Sequence, residues 1–77
     1  MIKKTIHLEG IQDVKKFVNT VSKYEFEVDL QSGRYAVDAK SIMGIFSLDL
    51  TRTIDMEIHC DNEEANKFLE EIKEYII

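Results

Sequence analysis

Ser41 is the residue of this chain best placed to do chemistry. It follows the extended segment Val37-Asp38-Ala39-Lys40 and precedes the apolar run Ile42-Met43-Gly44-Ile45-Phe46. A hydroxyl there can accept a hydrogen bond from an otherwise unpaired backbone N–H and cap a short helix. Phosphorylated, the same hydroxyl would set nearly two negative charges at a helix start, where anions are stabilised, and create a dock for a partner's Arg or Lys. The residue type by itself is explained by a plain cap, and leaves open whether the hydroxyl is also a switch. Four of the five positions from Ile42 to Phe46 carry large apolar side chains, more than one stripe of so short a helix can bury. Ile45 and Leu48 suit the inside. Ile42, Met43 and Phe46 are then either merely half-exposed or an adaptable docking surface.

A second group of polar residues opens the first helical stretch: Gln12, Asp13, Lys15 and Lys16 after Gly10. The carboxamide of Gln12 has negligible nucleophilicity. Lys15 and Lys16 are either solvated helix-surface charges or attractors of an anion or an acidic partner. His7 and His59 fall on the outward register of strands that also carry Glu25, Glu27, Asp55 and Glu57, with none of the short spacings that announce a metal site. Cys60 is expected as a small buried hydrophobe and, being alone, makes no internal disulfide. No Ser-His-Asp set, phosphate-binding loop or dinucleotide fingerprint occurs. No catalytic activity, metal or cofactor is therefore expected.

These side chains need elements to position them. Ile2, Lys4, Ile6 and Leu8 alternate with Lys3, Thr5, His7 and Glu9, which predicts a half-buried strand ended by Gly10. Ile11, Val14, Phe17, Val18 and Val21 recur at three- and four-residue spacings, predicting a helix to about Lys23. Tyr24 to Leu30 predicts a second strand with an acidic outer face. Gln31-Ser32-Gly33-Arg34 turns the chain into a third strand over Tyr35 to Asp38. A short helix from Ile42 to about Leu48 precedes a fourth strand, Ile54 to Cys60. Asp61 and Glu64 then have capping-box spacing before a last helix that turns Ala65, Phe68, Leu69, Ile72 and Tyr75 or Ile76 inward. Since each strand is apolar on one face only, one sheet covered by helices on a single side is the economical packing.

Composition narrows the function classes. Seventy-seven residues without proline fit one domain over 1–77 near the lower limit for a self-sufficient core. A net charge of −5 opposes nucleic acid or an anionic membrane as the main partner. The longest apolar run falls far short of the roughly 20 residues that span a bilayer. With no signal-like start and a lone cysteine, a cytoplasmic location is expected.

The segment Lys40-Ser41-Ile42-Met43-Gly44 resembles the regulatory-serine segment of the HPr phosphocarrier family of the bacterial phosphotransferase system. The family's other site, a Gly-Ile-His-Ala-Arg-Pro loop, is matched by Gly10-Ile11-Gln12-Asp13-Val14-Lys15. The resemblance implies the HPr fold, an α+β open-faced sandwich of order βαββαβα with a four-stranded antiparallel sheet covered on one face by three helices. It also implies that Gln12 stands at the phosphoacceptor position, that Val14 and Lys15 replace the Arg-Pro pair, and that Ser41 is the regulatory phosphorylation site. A Gln at the His position resembles the Crh-type, catabolite-repression branch, although that branch keeps the Arg-Pro pair. Implied partners are a phosphotransferase-system protein or a catabolite-control transcription regulator, with HPr kinase/phosphorylase acting on Ser41. Gln12, Lys15, Lys16, Ile42, Met43 and Phe46 are the expected contact residues. Two rivals remain: a phosphocarrier using another acceptor such as His7, and a structural interaction module on the same fold.

Overall fold

The computed structural model describes residues 1–77. Strand β1 (Ile2–Ile6) leads into α1 (Gly10–Val21), then β2 (Glu27–Ser32), β3 (Tyr35–Asp38), α2 (Ile42–Phe46), β4 (Ile54–His59) and α3 (Asn62–Glu71). A single 3-10 turn, Lys73–Tyr75, follows. The four strands make one antiparallel sheet in the order β1-β4-β2-β3. This is the expected α+β arrangement, three helices on one sheet face.

Register explains the layering. Ile2, Ile58 and Val28 are paired across three strands, as are Met56, Leu30 and Val37, so one face is a continuous apolar surface. Ile6, Val28, Leu30, Ile54, Met56 and Ile58 are buried there beneath Val14, Phe17 and Val21 of α1, Ile45 of α2, and Ala65 and Phe68 of α3. Phe17 and Phe68 meet with ring centroids 6.4 Å apart, and Tyr75 presents its ring to Phe17 at 6.2 Å and 79°. Such tilted aromatic contacts add modestly to the larger stabilisation from apolar burial. On the other face Lys3, Glu57, Asp29 and Asp38 form one cross-strand row. His59 Nε2 lies 2.8 Å from Asp29 Oδ2 within that wet face.

Local chemistry sets the boundaries. The β2–β3 hairpin closes with Gly33 at φ 60°, a left-handed conformation that glycine adopts without steric cost. Asp61 Oδ1 accepts from the Glu64 N–H at 2.8 Å and starts α3. At the end of α3 the chain tightens into the 3-10 turn and lies along β1: His7 N–H donates to Tyr75 O and Ile77 N–H to Thr5 O, both at 2.9 Å.

Several expectations need correction. β2 starts at Glu27, because Tyr24 and Phe26 turn out of the strand to stack with each other and with Phe68, at centroid distances of 5.2 to 5.7 Å. Lys4 has an inward register but lies exposed, since β1 is an edge strand. Ile11 is 59% exposed, because the first turn of α1 overhangs the core that Val14 enters. Helix α2 ends at Phe46 instead of Leu48. Cys60 is half-buried.

Candidate functional site

The two segments singled out by residue type both lie at helix starts. At α1, Glu9 is the N-cap residue and its own side chain makes no capping bond. The Asp13 carboxylate instead reaches back, accepting from the Glu9 N–H at 2.9 Å. A carboxylate belonging to the chain thus already sits where the helix dipole favours an anion. Gln12, Lys15 and Lys16 are exposed. Val14 is fully buried, so the position matched to a phosphate-clamping Arg is occupied by a core side chain. His7 Nδ1 lies 3.8 Å from Glu9 Oε1, and the shallow cleft beside it is also lined by Asp13, Lys16 and Glu74. Three carboxylates there oppose a phosphorylated imidazole by like-charge repulsion.

At α2 the cap is supplied by the expected residue. Ser41 is extended at φ −100° and ψ 106°, and its Oγ accepts from the Gly44 N–H at 3.1 Å. Its backbone is held on both sides: Ser41 N–H donates to Asp38 O at 2.9 Å, and Ile45 N–H donates to Ser41 O at 3.0 Å. Lys40 is anchored twice, its N–H on Asp38 Oδ1 and its Nζ on Tyr24 O, at 2.8 and 2.7 Å. The second bond ties the entry to α2 to the turn that follows α1. Gly44 permits close packing, because a Cβ there would lie 3.1 Å from Val37 Cβ and 3.2 Å from Ser41 Oγ. Ser41 stays exposed despite these restraints.

The apolar residues divide as the short helix requires. Ile45 is fully buried and Leu48 nearly so, whereas Met43 is 76% and Phe46 38% exposed. Ile42, expected beside them, is half-buried and packs on the core. Ile11 on neighbouring α1 is an exposed apolar residue that periodicity alone assigned to the inside; its place at the first turn, directly after Gly10, was the available signal.

The family model described as the PTS HPr component phosphorylation site matches residues 11–77. The chain belongs to the HPr family. Its fold is similar to that of HPr-C-His from Thermoanaerobacter tengcongensis, with 30% identity, a TM-score of 0.77, and 96% of this chain and 92% of that one covered. A phosphocarrier protein HPr from Bacillus anthracis str. Ames shares the fold at 21% identity and a TM-score of 0.74, over 99% and 96% of the two chains. An HPr dimer from T. tengcongensis matches at 30% identity and a TM-score of 0.67, over 96% and 94%. HPr-family membership implies protein partners within the phosphotransferase system, and the family's members are phosphocarriers rather than enzymes. No helix of this HPr-family chain is long and apolar enough to cross a membrane.

Proposed function

We propose that this HPr-family protein is a cytoplasmic regulatory and interaction protein of the phosphotransferase system, of the Crh-like kind, that has lost the histidine phosphocarrier chemistry. Gln12 occupies the phosphoacceptor position, and a carboxamide cannot form the labile phosphoramidate that relay requires. Ser41 is the regulatory site, modified by an HPr kinase/phosphorylase. Met43 and Phe46, with Ile42 beside them, form the docking surface for a phosphotransferase-system protein or a catabolite-control regulator. Gln12, Lys15 and Lys16 on neighbouring α1 extend it.

The observation that carries this reading is the exposed cap residue Ser41 at the start of a short helix that also exposes Met43 and Phe46. Phosphorylation would exchange a neutral acceptor for a dianion beside a surface already suited to a partner, changing affinity without refolding the helix. The test is incubation with ATP and an HPr kinase, read by intact mass. Stable incorporation, abolished by Ser41→Ala, is expected. No incorporation, or incorporation indifferent to that substitution, removes the switch. Incubation with phosphoenolpyruvate and the system's first enzyme should leave no acid-labile phosphate; labile phosphate on His7 would restore the phosphocarrier reading.

A further inference from the structure

Both arginines of the chain, Arg34 and Arg52, line one cleft of about 280 Å³; every other cationic side chain apart from the histidines is a lysine. Arg34 is the second residue of the two-residue β2–β3 turn, held at the hairpin tip by the Ser32–Tyr35 pair and the left-handed Gly33. Arg52 belongs to a tight turn after α2, where its N–H donates to Asp49 O at 3.3 Å and the Thr51 N–H donates to Asp49 Oδ1 at 3.0 Å. Tyr35, 68% exposed, and Ser47 complete the wall.

The opposing charges are already engaged. Asp49 accepts from both the hydroxyl and the N–H of Thr51, and Arg52 Nε lies 3.6 Å from its other oxygen. The carbonyls at the end of α2 are capped, Gly44 O by the Ser47 N–H and hydroxyl, and Ile45 O by the Leu48 N–H. Two guanidinia against one carboxylate leave this cleft a net positive charge within an acidic chain.

We propose that the cleft binds the phosphoryl dianion of a small solute. Two planar donor forks offer more N–H groups than one carboxylate can accept, whereas a phosphoryl group presents three oxygens and two charges. This binding needs neither Ser41 nor the Met43 surface.

The test is a titration of the folded protein, followed by two-dimensional amide NMR at constant ionic strength and pH 7.5. Inorganic phosphate, glycerol 3-phosphate and a capped tetra-glutamate peptide are the probes. Saturable shifts of Arg34, Tyr35, Ser47 and Arg52 are expected with glycerol 3-phosphate, with inorganic phosphate, or with both; which one binds tells a phosphomonoester from the free ion. Arg34→Gln and Arg52→Gln should each weaken binding roughly tenfold, the loss of one charge-assisted bidentate contact. Lys4→Gln with Lys67→Gln should leave it unchanged. Affinity should fall at pH 5.5, where the second phosphate proton is bound. Unsaturable shifts, equal weakening in the lysine control, or binding of the glutamate peptide with both phosphates silent would each overturn the proposal, the last by assigning the cleft to an acidic protein partner.

Discussion

The starts of α1 and α2 solve the same problem, unpaired N–H groups at a helix entrance, with opposite kinds of acceptor. At α1 the chain commits a charged carboxylate, Asp13, to its own backbone, and the exposed neighbour is the unreactive Gln12. At α2 it commits a neutral hydroxyl, which caps the helix and remains open to modification. A helix start filled by its own anion has little to offer an incoming phosphate. One filled by an exposed serine can itself become the anion. Within a fold whose relatives include phosphocarriers, that difference favours control through Ser41 over relay through α1.

The sharpest attack on this contrast is to introduce a histidine at position 12. Gln12→His should acquire acid-labile phosphate from the phosphoenolpyruvate-dependent first enzyme roughly a hundredfold more slowly than a phosphocarrier, because Val14 leaves no guanidinium to stabilise the transferring group. Adding Asp13→Ala should raise the labelling rate by freeing the helix start. Full-speed relay by Gln12→His alone would show that the internal carboxylate is irrelevant.

The next largest effect separates the inside of α2 from its outside. Ile45→Ala, at a fully buried position, should lower unfolding free energy by about 3 kcal/mol. Met43→Ala should change it by less than about 0.5 kcal/mol. Equal losses in urea melts would mean that Met43 belongs to the core rather than to a docking surface.

Removing the cap itself should cost less. Ser41→Ala is expected to lower stability by about 1 kcal/mol, while Glu9→Ala should be nearly silent, since Glu9 makes no side-chain cap. A comparable loss at Glu9 would erase the asymmetry between the two helix starts.

The smallest effect near neutral pH concerns the link between the regions, the turn around Tyr24 whose carbonyl receives Lys40 Nζ. Burial first, then the hydrogen bond and charge of Glu71, push the Tyr24 phenol up to about 12. Its folded value therefore exceeds the ordinary 10.0. The associated stability is fully present below pH 10 and is lost as pH rises toward 12. Burial and Glu74 push Tyr75 the same way, also to about 12. Tyr24→Phe should flatten part of the alkaline decline in urea melts and leave a remainder owed to Tyr75; an unchanged decline would place its origin elsewhere. At the acid end, hydrogen bonds from Lys23 and then Tyr24 hold Glu71 below its usual range, so its contribution is present above the ordinary carboxylate value and fades as pH falls through the folded one.

The element order was legible because alternation in β1, β2 and β4 and the three-four spacing in α1 and α3 report directly which face meets the core. The Ser41 cap was legible for a similar reason, since a hydroxyl before an apolar run has few other local uses. Ile11 was not, because periodicity tells which side of a helix a residue occupies and not how far along the axis the core extends. The loop position of Tyr24 and Phe26 was not legible either, because alternation holds equally for a strand and for two aromatics reaching from a loop to Phe68. Asp13 gave no signal as a backward acceptor; the usual capping pattern begins with Ser, Thr, Asp or Asn at the position that Glu9 fills. The pairing of Arg34 with Arg52 depended on tertiary folding, since eighteen positions separate them.

The segment that lies along β1 has a consequence for self-association. With the Thr5 carbonyl and the His7 N–H paired to residues 75–77, that part of the outer strand offers no free ladder to a passing chain. The opposite border of the sheet is the four-residue β3, which ends in Asp38. Brevity and charge there discourage runaway strand addition, so both borders of the sheet are guarded against extension by further copies of the chain.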